Sequence, residues 1–224
     1  MQTHFTVVDL ETTGLDPKRD KIIEIGAVKV QKGVVVDRYS VFVNPQEPIS
    51  FEIENLTGIS DEMVKDASTI DVILPEFLKF CEGAALVGHN AAFDVNFILR
   101  AAKNLGIPFE NPCWLCTMRM ARYFFPNSKK ATLDHVAKEL GISLKNHHRA
   151  VDDAECTAGI FIEFYKMFKE RGVHTLEEVN TISAPTVEMI QKNPKYYHII
   201  LLAKNDLGRV NLYRLVSESH LKYY

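Results

Sequence analysis

Three runs rich in β-branched residues crowd the first 43 positions of this 224-residue chain: His4–Leu10 (HFTVVDL), Ile22–Val30 (IIEIGAVKV) and Val34–Val43 (VVVDRYSVFV). Thr12-Thr13-Gly14 and Pro17 break the first run from the second, and Gln31-Lys32-Gly33 joins the second to the third over a hairpin-length connection. Three antiparallel strands are therefore expected at the start. Two shorter runs, Ala84–Val87 and Pro112–Thr117, instead lie among stretches with helical spacing. Thr69–Cys81 repeats apolar residues at Ile70, Ile73, Leu74, Phe77, Leu78 and Cys81. A second helix is expected from an Asn90 N-cap to about Lys103, with Gly106 as its stop. Helices at about Met118–Phe124 and Thr132–Leu140 precede the longest one, Ala150–Arg171, which Gly172 ends. Asn44–Thr57 reads as Pro-rich and irregular, and Ser60–Val64 as a short capped helix. The expected fold is α/β, with a mixed central sheet of about five strands, the first three antiparallel, and helices on both faces.

After Gly172 the periodicity weakens. Residues 173–197, with Pro185 and Pro194, read as a linker carrying two short helices. His198–Ala203 reads as a strand and Leu207–Ser219 as a helix, a piece (198–224) too short to build a core alone. Ordinary globular composition (46% hydrophobic, 25% charged) excludes a disordered, collagen-like or coiled-coil chain. The longest apolar runs, such as Ile199–Ala203, are far too short to span a bilayer, so no membrane partner is expected. No charged-then-apolar segment precedes the first strand, and four Cys make no disulfide framework; a cytoplasmic location is the expectation. Residues 1–172 hold 20 basic and 24 acidic side chains, a net of −4, while 173–224 hold 6 and 5. A generic nucleic-acid binder is strongly basic. Any nucleic-acid contact here needs the acidity neutralised by something outside the sequence.

The acidic residues are placed for that. Asp9 and Glu11 sit two apart on a strand, so both point to one face. Like charges side by side repel unless a cation lies between them. Their flanks, Val7, Val8 and Leu10, argue for a central strand rather than a solvated edge. Asp94 falls four residues after Asn90, in the first turn of its helix, where an acidic residue also serves the helix dipole. Asp152 and Asp153 open the longest helix, after His147-His148-Arg149. Five residues of helix turn about 500°, so His148 and Asp153 do not share a face, and His148 is expected in the loop or first turn ahead. Each signal is weak alone. Together they set hard oxygen donors in an order a single α/β domain can converge, which favours Mg²⁺ or Mn²⁺, with a two-ion centre suited to phosphoryl transfer.

Those residues form three motifs: Val8-Asp9-Leu10-Glu11-Thr12-Thr13-Gly14, Gly88-His89-Asn90-Ala91-Ala92-Phe93-Asp94, and His148-Arg149-Ala150-Val151-Asp152-Asp153-Ala154. Over about residues 5–170 the chain resembles the DEDDh-type 3′→5′ exonucleases, the proofreading family on a ribonuclease H-like fold. Position 149, four before Asp153, is Arg rather than Tyr, which matches the His subclass. The tail, Leu201-Leu202-Ala203-Lys204-Asn205 with Gly208 and Asn211–Ser217, resembles a stretch of the PHP domain of bacterial replicative polymerases. In the PolC type the exonuclease is inserted in that domain, so the resemblance implies a piece of a PolC-type DNA polymerase III: exonuclease 1–172, linker 173–197 and PHP fragment 198–224.

The resemblance further implies that Asp9, Glu11, Asp94 and Asp153 hold two divalent cations, Mg²⁺ or Mn²⁺, while neutral His148 takes the proton of an attacking water. Single-stranded or frayed DNA 3′ ends are the implied substrate, and the remaining polymerase domains the implied partners. Thr12, Thr13, Leu15, Leu56, Thr57, Asn90 and Phe93 are the implied contacts to the terminal nucleotide, although Phe93 suits a core position equally. Arg149 and Lys145 are candidate phosphate contacts; Lys129 and Lys130 suit a solvated surface better. An RNA-trimming exonuclease of the same fold and a catalytically inactive docking module are the alternatives. Cys113-x-x-Cys116 lacks a second pair and reads as buried thiols rather than a zinc site, and His198 and His220 read as structural.

Overall fold

The architecture comes from a computed structural model, which describes residues 4–109, 112–144, 149–185 and 202–222, the side chains of 219–222 excepted. Strands β1 (His4–Thr12), β2 (Ile22–Gln31) and β3 (Val34–Phe42) pair antiparallel, as the three early runs require. Strands β4 (Ala85–Gly88) and β5 (Trp114–Cys116) add parallel neighbours on the other side of β1, so the order is β3-β2-β1-β4-β5. β1 is thus the central strand, as its apolar flanks predict.

Helices α1 (Phe51–Thr57), α2 (Asp61–Val64), α3 (Ile70–Phe80) and α4 (Ala92–Asn104) precede α5 (Thr117–Phe124), α6 (Leu133–Leu140), α7 (Ala150–Glu170) and α8 (Leu176–Ile182). The two-residue alternation of β1 sorts them. Phe5 and Val7 join a core with Val28, Val30, Val87 and residues of α5, α6 and α7. Val8 and Leu10 join the opposite core, with Ile25, Ala27 and the buried faces of α3 and α4. In α7 the ring of Phe161 meets Phe5 edge-on at 4.7 Å, and that of Phe164 stacks on Phe124 at 5.2 Å. Each fully buried phenyl ring stabilises the layer by about 1.5–3 kcal/mol.

Five expectations change. The irregular stretch before Gly58 contains α1, which Ser50 caps by accepting from Ile53 N–H (3.4 Å) and which Gly58 ends at φ 71°. Asn90 is not the cap of α4; Ala91 holds that place, and Asn90 itself takes a left-handed turn at φ 70°. Helix α8, expected within a linker, belongs to the main body: Val173 and Val179 are buried, Asn180 donates to the Trp114 carbonyl at 3.0 Å, and this compact unit runs to Ala184. A second unit, Pro185–Tyr224, contains helix α9 (Asp206–Lys222), longer at both ends than expected. Of the strand expected at His198–Ala203, residues 198–201 lie outside the described residues, while Leu202 and Ala203 lie in neither helix nor strand. Among the described residues no helix is long and apolar enough to cross a membrane.

Candidate active site

Strand alternation places the side chains of Asp9 and Glu11 on the face of Phe5 and Val7, the face that α7 covers. The approach of α7 depends on Gly26, the residue paired with Asp9 in the β1–β2 register. A Cβ there would lie 2.0 Å from the Ala150 carbonyl carbon and 2.2 Å from the Val151 nitrogen, so only glycine lets the first turn of α7 rest on β2. Glu24, opposite Glu11 and 1% exposed, then receives that turn. Its Oε2 accepts from Ala150 N–H (3.2 Å), one of the helix-start donors that no turn of helix can satisfy.

Asp153 lies one turn into α7 and is buried. One carboxylate oxygen from each of Asp9, Glu11 and Asp153 falls within 4.8 Å of the other two. Asp94 reaches the group from the opposite side: the left-handed turn at Asn90 carries the chain from β4 into α4, and Asp94 Oδ1 accepts from Leu10 N–H at 3.1 Å. Burial raises the Asp9 carboxyl well above its usual range, and Asp94, Glu11, Asp153 and Glu24 each raise it further. Burial, then Asp153 and Glu24, push Glu11 to about 7, while Arg149 pulls the other way. Burial pushes Asp94 to about 8, against the Leu10 hydrogen bond. Crowded carboxylates held by separate elements, with oxygen donors at this spacing, are the surroundings a divalent cation requires. The residues present fit such an ion.

These carboxylates open on a cleft of about 500 Å³, lined also by His89, Asn90, Phe93, Met118, Arg122 and Asp134. His89 ties its floor together, with Nδ1 2.9 Å from the Thr117 hydroxyl and Nε2 2.8 Å from the Ala131 carbonyl. Of the expected substrate contacts, Asn90 and Phe93 line the cleft, and Leu15 (84%) and Leu56 (54%) stand exposed. Thr12, Thr13 and Thr57 spend their hydroxyls within the fold. Thr12 donates to the Gly14 carbonyl (2.6 Å), Thr13 to Glu47 (3.2 Å), and the buried Thr57 to the Ile53 carbonyl (2.9 Å). Arg149, expected on phosphate, pairs with Glu24 at 3.0 Å and covers the Phe42 ring. His148 and Lys145 lie outside the described residues. Cys116 is buried as expected, whereas Cys113 is exposed.

Sequence reasoning missed Glu24, Gly26, Met118 and Arg122. The first two carried a signal: a lone carboxylate and a lone glycine inside a largely apolar strand. Met118 and Arg122 carried none beyond their i, i+4 spacing on a helix.

A family model described as exonuclease matches residues 6–161. The DNA polymerase III PolC-type of Clostridium perfringens is 48% identical over 221 residues, 98% of this chain and 15% of that protein. Its counterpart in Caldanaerobacter subterraneus is 44% identical over the whole chain and 16% of that protein. The chain thus spans under a fifth of the length of these relatives. Among solved structures, exonuclease X in complex with 5′ overhanging duplex DNA shares 28% identity at a TM-score of 0.63, over 80% of this chain and 99% of that one. The nuclease domain of 3′hExo, a DEDDh family member bound to rAMP, superposes at a TM-score of 0.63 over 74% of this chain and 93% of that one; at 20% identity it speaks to the fold alone.

Proposed function

The chain belongs to the exonuclease family, and from that premise we propose that it removes nucleoside 5′-monophosphates from DNA 3′ ends as the proofreading part of a bacterial PolC-type polymerase. The observation that carries this reading is the meeting of Asp9, Glu11 and Asp153 oxygens within 4.8 Å, with Asp94 beside them. Likeness to PolC-type polymerases over the full chain supports the replicative, cytoplasmic setting, with the remaining polymerase domains as partners. The 198–224 segment belongs, on this reading, to the neighbouring PHP domain.

Asp9, Glu11, Asp94 and Asp153 are the residues that hold the cations, and their hard oxygens suit Mg²⁺ or Mn²⁺. Two bound divalent ions supply an acidified water and neutralise charge on the phosphate and the leaving 3′ oxygen. The protein does the rest. β1 fixes Asp9 and Glu11 on a central strand, and α7 and α4 bring Asp153 and Asp94 to them. Neutral His148 takes the proton of the attacking water and cannot do so once protonated. Leu15 and Leu56 wedge against the terminal base, while Asn90 and Phe93 form the cleft wall. A frayed single strand needs few backbone contacts, which suits a chain of net charge −3.

The test is release of 5′-mononucleotides from a mismatched 3′ primer with Mg²⁺ or Mn²⁺, alongside an RNA 3′ end. Metal-dependent release from DNA, abolished by chelator and by Asp9→Ala, is expected; His148→Ala should lose on the order of 10²–10⁴-fold. Unchanged turnover in Asp9→Ala, or release confined to RNA, would refute the reading.

A further inference from the structure

Glu24 and Arg149 form an ion pair whose place is unusual. Glu24 stands directly across the β1–β2 register from Glu11 and is 1% exposed. Its Oε1 accepts from Arg149 Nη2 (3.0 Å) and Nε (3.3 Å), and its Oε2 from Ala150 N–H (3.2 Å). Arg149 is 40% exposed at its side chain and rests over Phe42, 5.3 Å from the ring centre. The Arg149 charge also acts on the Glu11 carboxylate, which faces Glu24 across the paired strands. An arginine binds a carboxylate in a bidentate fork and stays charged at every working pH. Left without Glu24, Arg149 has two carboxylates within its field, Asp152 and Glu11, and of these Glu11 is the cation donor.

We propose that Glu24 is a positioning residue for the metal centre: it takes up the guanidinium of Arg149 and so leaves the Glu11 carboxylate available to a divalent cation. The proposal rests on the reading of Asp9, Glu11 and Asp153 as cation ligands. A merely structural ion pair would behave differently. Replacing both partners of such a pair is often neutral for the fold, and loss of one partner shows as lost stability wherever the pair lies. A sequestering pair shows as lost cation affinity that returns when the released arginine is also removed.

The experiment uses Mn²⁺ alone as the probe, with the full 224-residue chain and no substrate. Mn²⁺ affinity is read by calorimetry and by the electron paramagnetic resonance of unbound ion, and the melting temperature is read in parallel. Glu24→Gln keeps an oxygen for the Ala150 N–H and removes the charge that holds Arg149. It should weaken Mn²⁺ binding about 10–100-fold, and the double variant E24Q/R149Q should recover most of that loss. If E24Q does not fold, Glu24→Asp serves, since its carboxylate is drawn back by one carbon. A weaker Mn²⁺ affinity in E24D, relieved by adding R149Q, supports the same conclusion. Unchanged affinity in E24Q, or a double variant as weak as the single one, overturns the proposal while leaving the metal reading intact. Failure of the unmodified chain to bind Mn²⁺ overturns both.

Discussion

Gly26→Ala tests whether one backbone approach sets the precision of the centre. A methyl group at position 26 would sit 2.0 Å from the Ala150 carbonyl carbon, and ordinary contact begins at 3.4 Å, so the two backbones must part by about 3.4 − 2.0 = 1.4 Å. The obstructing atoms are main chain on both sides, and no side chain can swing aside. Asp153 sits one turn beyond Ala150 on the same rigid helix and moves with it. A cation site tolerates about 0.2 Å in its ligand distances, and a misplacement of about 1 Å costs roughly 10²-fold in rate. Overpacking should also cost about 1–3 kcal/mol of stability, a fall of some 2–12 °C in melting temperature for a domain of this size. The assay is kcat and KM on a 3′-mismatched primer at saturating Mg²⁺, together with a thermal melt. The expected result is a kcat loss of about 10²-fold in a chain that remains folded. A folded variant with kcat within about threefold of the unmodified chain would show that α7 can stand off β2 without disturbing Asp153, and the argument would fail.

Other outcomes follow from the charge distribution and the exposed side chains. In the metal-free chain Glu11 is raised from 4.5 to about 7 and Asp94 from 3.8 to about 8, so their contribution to stability is intact below about pH 4 and lost as pH climbs through 7 to 8. The metal-free melting temperature should therefore fall between pH 5 and pH 8.5, and saturating Mg²⁺ should remove that fall; a pH-independent melt would contradict the crowding. Asp9→Asn should abolish activity yet raise the metal-free melting temperature by several degrees at alkaline pH, because it removes a carboxyl whose ionisation four other carboxylates oppose. Leu15→Ala, at a side chain 84% exposed, should leave the melt unchanged but raise KM for single strands about fivefold, through loss of about 1 kcal/mol of apolar contact. Arg122 is the one lysine or arginine among the described residues lining the cleft; Arg122→Gln should raise KM and lessen the salt slope of DNA binding by about 0.7.

The fold was largely legible because its signals are local. β-Branched alternation marks β1, β2 and β3 within a few residues of their ends, and the apolar stripe of α7 marks its full length. Helix α1 escaped because seven residues between a proline-rich stretch and a glycine give too few turns for a period to show. Helix α8 was read as linker because what makes it part of the body is distant: Val179 buried in the main core and Asn180 bonded to the Trp114 carbonyl. Asn90 was read as a cap from its residue type, yet a left-handed backbone at the same position uses asparagine for a different reason, its tolerance of positive φ.

The candidate site divides along the same line. Which residues supply oxygen was written in short motifs, since Asp9 and Glu11 share a strand face by alternation and Asp153 opens a helix. How those oxygens come to lie within 4.8 Å of one another is carried by residues outside the ligand set. Gly26 sets the distance of α7 from the sheet, Glu24 binds the first donor of that helix, and the Leu10 N–H anchors Asp94. The neighbours in sequence mark Glu24 and Gly26 as unusual but do not show what they do, because each of these contacts acts across 84 or more positions or through a register of paired strands. A centre of mutually repelling carboxylates gains nothing from its own ligands until a cation arrives. The scaffold must therefore hold them together against that repulsion. Substitutions at Gly26 and Glu24 should accordingly damage cation binding nearly as much as loss of a ligand, although neither residue offers an oxygen to the cluster of Asp9, Glu11 and Asp153.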